Sequence, residues 1–435
     1  MKNYKEFFKD KKVTVMGLGL LGKNLNDIKF LSECGADLIV TDLKTEEQLR
    51  KSVDALNGYK NITFSLGGHK LEDFENRDFI LKGQGAVPLD SLYIKHAKEK
   101  EIPVYMDEVL FMKLAPDVNI IGITGTRGKS TTTFLIHEIL KAAGMRTFIS
   151  GNVLGTTVLP LLKKVKKGDT VVFELSSWQL QGFGDAELSP HISVFTNLMP
   201  DHMNYYKNDM DAYFKDKSYI YSSQKESDFL VLGETMKKLV KDTKSKKVIA
   251  KPTIVPVSWK LKVLGKHNLQ NIACAVEVAR ILKIKESIIK KAVEFFSGVP
   301  GRLELVKELK GIKIYNDTNA TTPAATLAAL ESFKKPVLLI LGGMSKEIDS
   351  TLLNKALPSK TKKVFLTSGS GSDTIQNKKA NIEKVENLSE AIHKAWKEAK
   401  KGDVILFSPG FASFNMFKNE YDRGEQFMKL VKKLK

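Results

Sequence analysis

The segment IIGITGTRGKSTTTF, residues 120–134, decides the fold and suggests the chemistry. Its first residues form an apolar run that predicts a buried strand, and the pattern over residues 130–143 predicts a helix. A loop containing Gly125 and Gly128 joins them and ends on Lys129. Because the first N–H groups of a helix lack partners within the helix, they bind phosphate oxygens. The segment therefore predicts a strand, loop and helix that bind a nucleotide.

Two side-chain types in this loop have predicted roles. Lys129 would neutralise the β- and γ-phosphates, and Ser130 or Thr131 would reach Mg²⁺. The general pattern G-x-x-x-x-G-K-[ST] requires glycine where this chain has Ile123, so the loop is the shorter form Gly-Thr-x-Gly-Lys-Ser. A chance match in an ordinary loop is the alternative, but the predicted strand and helix on either side favour nucleotide binding.

Strand-like and helix-like segments alternate on both sides of this loop. This alternation predicts an α/β protein with mostly parallel sheets. We expect three domains: a Rossmann-like domain over residues 1–112, a central P-loop ATPase-type domain over 113–296, and a C-terminal Rossmann-like domain over 297–435. The predicted strands cover residues 13–16, 37–40, 119–123, 170–175, 192–197, 312–315, 336–341, 363–366 and 404–407.

The composition restricts the classes of partner. The 435 residues include 69 basic and 50 acidic side chains, a net charge of +19, which raises the possibility of nucleic-acid binding. The lysines are spread along the chain, so we favour a solvated lysine-rich surface or an anionic small-molecule substrate, and no nucleic-acid partner. The two cysteines, Cys34 and Cys274, fit a reducing compartment. Without an apolar run of 18 residues or a secretory signal, we expect a cytoplasmic monomer with no membrane insertion.

A second glycine-rich loop, Gly17-Leu-Gly-Leu-Leu-Gly22, follows the first predicted strand. It matches G-x-G-x-x-G, and Asp42 lies twenty residues further on, as in dinucleotide-binding domains. A nicotinamide-dependent oxidoreductase is therefore an alternative. The second nucleotide loop at Gly125 weakens that interpretation. A ligase with a nucleotide-linked substrate would use both loops, with a diphosphate on the first and a ribose or base at Asp42.

Two residues that follow predicted strands are candidate metal ligands. Glu174 ends one strand, and a carboxylate there points into the ligand crevice of an α/β sheet. Mg²⁺ prefers oxygen ligands of this kind. His202 follows the next strand within the sequence Asn-Leu-Met-Pro-Asp-His. A solvated carboxylate and a structural histidine are the alternatives.

Four further polar segments follow or precede predicted elements. They are residues 265–271 before a predicted amphipathic helix, 300–302 before a strand pair, 316–323 and 408–414. Ordinary turns explain each one separately. Polar residues placed repeatedly after strand ends nevertheless favour a shared crevice.

The ordered set of motifs resembles the Mur ligases, which form amide bonds with ATP. The motifs are GITGTRGKSTTT, FELSSWQL, TNLMPDHMNYY, KHNLQN, GVPGRLE, YNDTNATTPAATLAAL, ILGGMSKEID and LFSPGFASFNMFKNEYDRGEQF, and they extend over nearly the whole chain. The middle motifs also resemble folylpolyglutamate synthases, which would lack the Gly17–Gly22 domain. The last motif resembles the branch of the family that adds glutamate to UDP-N-acetylmuramoyl-L-alanine.

This resemblance implies a role for each matched residue. It places ATP, between the second and third domains, on Gly125, Thr126, Arg127, Gly128, Lys129, Ser130, Thr131, Asn271, Arg302 and Asp317. It places two Mg²⁺ ions on Ser130, Glu174, His202 and Lys217, the last as a carbamate, and makes Lys129, Glu174, His202 and Lys217 the catalytic set. It places the UDP-substrate on Gly19, Leu20, Leu21, Asp42, Lys44, Asn152 and His202, and glutamate on Thr321, Lys346, Ser413 and Phe414. From the sequence alone, Lys217 would be one more surface lysine.

The chain departs from the family pattern at several positions. Asn319 stands where the family often has a lysine, and Glu420 stands where an aromatic residue lies near the glutamate site. The first domain has Gly83-Gln-Gly85 in place of Ser-Pro-Gly. The Ala-Thr-Thr-Pro sequence ending at Pro323 resembles a variant subgroup that adds L-glutamate. We favour D-glutamate and keep L-glutamate as the alternative.

Overall fold

A computed structural model describes residues 3–19, 23–83, 87–88, 91–153, 155–263, 265–414 and 416–435. The chain divides into two compact units, one of residues 1–255 with 270–289 and one of residues 256–269 with 290–435. Both contain sheets flanked by helices, so the predicted α/β class is confirmed. No helix among the described residues is long and apolar enough to cross a membrane.

The first sheet of the first unit has five parallel strands in the order β3-β2-β1-β4-β5. Val13 and Val15 of β1 are fully buried between neighbouring strands, as expected for the centre of a parallel sheet. The order reverses between β1 and β4, and ligands of open α/β sheets commonly bind at the carboxyl ends of the strands beside such a reversal. The strands are β1 (Lys12–Met16), β2 (Asp37–Asp42), β3 (Ile62–Leu66), β4 (Phe79–Lys82) and β5 (Val104–Tyr105), and the helices are α1 (Tyr4–Phe8), α2 (Lys23–Glu33), α3 (Glu46–Asp54), α4 (Leu92–Glu99) and α5 (Asp107–Leu114).

The second sheet of this unit has six parallel strands in the order β11-β10-β9-β6-β8-β7. The central strands β6, β8 and β9 therefore end side by side. The strands are β6 (Asn119–Thr124), β7 (Thr147–Gly151), β8 (Thr170–Glu174), β9 (Ile192–Phe195), β10 (Phe229–Gly233) and β11 (Lys246–Ala250). The helices that follow are α6 (Lys129–Ala142), α7 (Ser177–Asp185), α8 (Met210–Ser222), α9 (Lys266–Ile281) and α10 (Glu286–Phe295).

The two sheets of the first unit share an apolar core. Phe111 of α5 packs edge-on against Phe173 of β8, with ring centroids 5.5 Å apart. Asp27 of α2 accepts a hydrogen bond of 3.0 Å from the backbone N–H of Leu159. These contacts fix the sheets to each other within one unit. The predicted boundary between residues 112 and 113, like that between 296 and 297, stays a prediction.

The sheet of the second unit has six strands in the order β12-β13-β17-β14-β15-β16. The strand β12 is antiparallel to β13 and the other pairs are parallel, so this sheet is mixed. The strands are β12 (Glu304–Leu309), β13 (Ile312–Asn316), β14 (Val337–Leu341), β15 (Thr361–Leu366), β16 (Ile382–Lys384) and β17 (Val404–Phe407). The helices are α11 (Pro323–Glu331), α12 (Thr351–Lys360), α13 (Leu388–Glu398) and α14 (Glu420–Lys433).

One predicted helix start is wrong. The polar segment containing His267 and Asn271 was expected to precede a helix, but it forms the first turns of α9. Gly265, with φ +92°, directly precedes the helix, and its carbonyl accepts a bond of 3.0 Å from Asn268 N. Asn268 and Ile272 lie four residues apart, which is the spacing of one helix face, and both are buried. This spacing is consistent with a helix that contains the whole segment.

Candidate functional site

The loop between β6 and α6 depends on two glycines with positive φ. Gly125 has φ +144°, and a Cβ there would lie 2.0 Å from Thr196 Oγ1. Gly128 caps α6 with φ +83°, and a Cβ there would lie 2.1 Å from Asn271 Oδ1. The loop backbone thus packs directly against the end of β9 and against α9, and no side chain fits at either position.

Gly128→Ala tests this packing. We expect the substitution to weaken nucleotide binding at least about tenfold, a loss of about 1.4 kcal/mol. The physical reason is that alanine at this φ is strained by roughly 1–2 kcal/mol, and its Cβ would also displace Asn271. Isothermal calorimetry of ATP binding measures the effect.

Gly144→Ala is the matched control. Gly144 has a similar φ of +76°, but a Cβ there would meet nothing within 4 Å. We expect a modest loss of thermal stability with unchanged nucleotide affinity. Equal nucleotide affinities of the two variants would contradict the packing argument.

Two lysines converge on the backbone of this loop. Lys129 Nζ donates to the carbonyls of Gly125 and Thr126, both at 3.1 Å. Lys217 Nζ, on α8, donates to the same Gly125 carbonyl at 3.0 Å. The two amino groups therefore lie beside the loop that is predicted to bind phosphates.

Lys217 is not the surface lysine that its sequence context suggested. Its side chain is only 2% exposed, because α8 packs against the loop after β6. Burial, followed by the nearby charge of Lys129, lowers the pKa of the Lys217 amine well below its usual value. Loss of a proton from the Lys217 ammonium, which gives the neutral amine, therefore costs less free energy than in an exposed lysine.

Glu174 ends β8 beside these lysines. Its side chain is 3% exposed, and Oε1 accepts a bond of 3.2 Å from Asn152 Nδ2. Its other oxygen, Oε2, is buried without a hydrogen-bond partner among the described residues. An unsatisfied buried group of this kind costs about 1–3 kcal/mol, which a bound cation would offset.

His202 lies in the loop after β9, in a left-handed backbone conformation with φ +55°. Its ring contacts Trp178, with centroids 4.6 Å apart, and Nε2 is 3.9 Å from Asp201 Oδ2. Partial burial lowers the pKa of His202, although Asp201 opposes the shift. Met199 N donates to Thr126 Oγ1 at 3.0 Å, which holds this loop against the phosphate loop.

The predicted magnesium ligands include only two side chains of the usual metal-binding types, Glu174 and His202. Among the described residues, no three His, Cys, Asp or Glu side chains cluster as a metal site. A magnesium ion at this position would therefore need oxygen ligands from Glu174 Oε2, from the Ser130 hydroxyl and from a carbamate on Lys217.

The glycine-rich loop of the first sheet is organised by Asp42. Asp42 Oδ2 accepts from the N–H groups of Leu18 at 2.9 Å and Gly19 at 3.1 Å, and Oδ1 accepts from Lys44 N at 3.0 Å. Both carboxylate oxygens thus hold backbone, while the Lys44 side chain is exposed. The predicted ligands Leu20 and Leu21 lie outside the described residues.

In the second unit, Asp317 follows β13 and joins neighbouring loops. Its side chain is buried, with Oδ2 accepting from Ser408 Oγ at 2.8 Å and Oδ1 from Leu303 N at 3.0 Å. Burial raises the pKa of Asp317 to about 7, against these hydrogen bonds and the charge of Arg302. The neighbouring Arg302 is exposed.

The four residues predicted to contact glutamate also belong to the second unit. Lys346 Nζ donates to Thr321 Oγ1 at 3.1 Å, so these two residues lie together. Ser413 Oγ is buried and has no hydrogen-bond partner among the described residues, whereas Phe414 is 69% exposed. An unpartnered hydroxyl and an exposed ring are features of a ligand-binding surface.

Arg423, in α14, is a site residue that the sequence interpretation missed. It is 2% exposed and donates to the Phe411 carbonyl at 3.0 Å and to the Thr318 carbonyl at 2.8 Å. It thereby holds the loops after β17 and β13 together. The sequence did contain an indication of this role, because Arg423 lies at helical spacing from the apolar residues Phe427 and Val431. All three side chains are buried on the same face of α14.

Comparison with known proteins identifies relatives over nearly the whole chain. Residues 123–253 match the Mur ligase middle domain, and residues 301–411 match the Mur ligase, glutamate ligase domain. The UDP-N-acetylmuramoylalanine--D-glutamate ligase of Roseiflexus sp. (strain RS-1) is 34% identical over 462 residues, 97% of this chain and 98% of the relative. The enzyme of the same name from Clostridioides difficile (strain 630) is 33% identical over 456 residues, 98% of this chain and 99% of the relative.

Solved structures with similar folds include the MurF ligase from Thermotoga maritima in complex with ADP. That structure has a TM-score of 0.60 and 19% identity, and the match covers all of both chains. At this identity the likeness concerns the fold.

Proposed function

The chain belongs to the Mur ligase family of ATP-dependent, amide-bond-forming ligases, and we propose that it joins D-glutamate to UDP-N-acetylmuramoyl-L-alanine. The observation that carries this proposal is the convergence of Lys129 and Lys217 on Gly125, with the unpartnered Glu174 oxygen nearby in the same unit. Relatives one third identical over nearly the full length carry that activity in their names. The nicotinamide oxidoreductase interpretation of the first glycine loop is accordingly set aside.

ATP would bind through the loop residues from Gly125 to Thr131, with Asn271 behind Gly128. Arg302 and Asp317, which the family resemblance also assigns to ATP, belong to the second unit. The exposed N–H groups at the start of α6 and the ammonium of Lys129 would neutralise the phosphates. Phosphoryl transfer needs this positioning and charge neutralisation more than a covalent nucleophile.

Magnesium ions would be held by Ser130, Glu174, His202 and a carbamylated Lys217. The neutral Lys217 amine would attack CO₂, forming an N–C bond and releasing one proton, and the product is a carbamate with two oxygens. The lowered pKa of the Lys217 amine supports this modification, because only the neutral amine reacts. Bound Mg²⁺ would offset the repulsion between the substrate carboxylate and the triphosphate.

The proposed reaction has two steps. The alanyl carboxylate attacks the γ-phosphorus of ATP, which forms an acyl phosphate and releases ADP. The glutamate amine then attacks the acyl carbon and loses a proton, which His202 or a carboxylate would accept, and the resulting tetrahedral intermediate expels phosphate. Lys346, Thr321, Ser413 and Phe414 would hold the glutamate, with Lys346 pairing with one of its carboxylates.

The hand of the amino acid is the finer part of this proposal. The names of the relatives support D-glutamate. Asn319, which donates to the Pro300 carbonyl at 3.3 Å, removes a cation from the glutamate region, and this departure keeps L-glutamate as a second candidate. A cytoplasmic monomer without a nucleic-acid partner also stays a prediction.

The test is phosphate release from purified protein with UDP-N-acetylmuramoyl-L-alanine, ATP and Mg²⁺. We expect release only after glutamate is added, and at least about tenfold faster with D-glutamate than with L-glutamate, since a misplaced amine loses the near-attack geometry. Faster turnover with L-glutamate would establish the alternative. Absence of glutamate-dependent release with both would refute the proposed function.

A further inference from the structure

A series of hydrogen-bonded side chains connects the first sheet to the helix that carries Lys217. Lys82, the last residue of β4, donates from Nζ to Gln181 Oε1 at 3.0 Å. Gln181, on α7, donates from Nε2 to Asp216 Oδ2 at 2.8 Å. Tyr206 OH donates to the same oxygen at 2.9 Å. Asp216 directly precedes Lys217 on α8, so the series ends beside the predicted catalytic lysine.

A second connection runs parallel to the first. Gln181 Nε2 also donates to Tyr205 OH at 3.1 Å, and Tyr205 OH donates to the Val87 carbonyl at 2.9 Å. Val87 follows β4 by five residues, and Tyr205 follows His202 by three. Val87 is thus bonded directly to the loop that carries His202, and it is connected to α8, which carries Lys217, only through Tyr205 and Gln181.

The start of the series lies where the first sheet binds its ligand. The strand order reverses between β1 and β4, and ligands of open α/β sheets bind at the carboxyl ends of the strands at that reversal. Lys82 occupies the carboxyl end of β4, paired in register with Met16, which precedes the glycine-rich loop. A substrate held on that loop would therefore lie near Lys82.

The connecting amide has only one workable orientation. Lysine offers donors alone and an ionised carboxylate offers acceptors alone, so the Gln181 oxygen must face Lys82 and its nitrogen must face Asp216. Asp216 is 8% exposed and Lys82 is half-buried, so both charges are partly removed from water. Replacement of buried charges by apolar side chains of similar size is often neutral for stability, so a buried arrangement of this kind is weak evidence for a purely stabilising role.

We propose that Lys82, Gln181 and Asp216 form a positioning network that couples substrate bound at the first sheet to Lys217 beside the phosphate loop. This inference rests on the proposed function. The three residues act through Lys217 and through the loop of His202, and do not themselves contact the reacting atoms.

Exchanging the amide and the carboxylate tests the network. Gln181→Glu removes the donor to Asp216 and opposes two carboxylates, while Asp216→Asn opposes two amides. In the double variant, Lys82 and the new amide at position 216 both donate to the new carboxylate at position 181. The second hydrogen of that amide meets the Tyr206 oxygen, and the Tyr205 hydroxyl turns its proton from the Val87 carbonyl to the new carboxylate. We expect each single change to lower kcat/KM for the UDP-substrate about tenfold or more, with the KM for ATP unchanged, and the double variant to recover to within about threefold.

The control variant is Lys98→Ala. Lys98 of α4 donates to Asp185 of α7 at 3.1 Å, which also links the first sheet's helices to α7, but both side chains are about half exposed. We expect wild-type kinetics. If a single variant does not fold, Lys82→Arg and Lys82→Met replace it, and we expect Arg to retain activity within about threefold and Met to lose it.

The outcomes separate the two proposals. Wild-type protein without ligase activity refutes the proposed function. Active wild-type protein whose single variants keep normal kinetics, or whose double variant is no better than the singles, overturns the network. A Lys82→Met variant with unchanged KM for the UDP-substrate and unchanged kcat overturns it as well.

Discussion

Lys129→Ala is expected to reduce ATP-dependent phosphate release on the order of 10³-fold, the effect of removing a preorganised charge from a transition state. Lys129 Nζ already donates to the carbonyls of Gly125 and Thr126, so its ammonium is held at the loop before any phosphate arrives. The loop backbone depends on its glycines and on Asn271 rather than on this side chain. We therefore expect a folded but inactive protein, measured by phosphate release at saturating substrates.

The control for this variant is Lys141→Ala in the same helix. Lys141 is exposed and pairs with Glu138 at 3.2 Å, a surface ion pair on one helix that contributes about 0.2–0.5 kcal/mol. We expect its thermal midpoint and turnover to match those of the wild type. A Lys129→Ala protein with normal turnover would contradict the role of the phosphate loop.

The fold was predictable where local patterns decide it. The alternation of apolar runs and helices predicted strands in each of the three sheets, with ends within two residues of those observed, and the glycine-rich loop at Gly125 lies between β6 and α6 as expected. The family resemblance predicted from the ordered motifs is confirmed. Short motifs suffice here because strand, turn and helix are determined by neighbouring residues.

Long-range packing is what the sequence could not supply. Lys217 reaches Gly125 across 92 positions of sequence, and nothing near it in the chain distinguishes it from an exposed lysine. Asp42 matched a ribose-binding position, yet both of its oxygens hold backbone N–H groups of the loop before it and the turn after it. The burial of Arg423, in contrast, could have been predicted from the sequence, because Arg423 lies at helical spacing from Phe427 and Val431.

Lys217→Ala is expected to lower ligase turnover on the order of 10²–10³-fold and to be partly rescued by acetate or propionate in solution. The alanine removes the amine that would carry the carbamate, and its smaller side chain leaves space beside Gly125, where a small carboxylate can supply two oxygens. Rescue should follow carboxylate concentration and saturate, as binding to a defined cavity requires. Turnover is measured against carboxylate concentration, with chloride holding ionic strength constant.

Lys215→Ala is the matched control, since Lys215 lies two residues earlier on α8 and is exposed. We expect this variant to keep wild-type turnover and to show no dependence on carboxylate concentration. Loss of the buried Lys217 stem also removes packing, so the thermal midpoint must be compared to separate misfolding from lost chemistry. A folded Lys217→Ala protein with full activity would exclude any catalytic role for this lysine. A folded, inactive protein that no carboxylate restores would exclude the carbamate, and would leave the buried ammonium itself, bonded to the Gly125 carbonyl, as the active group.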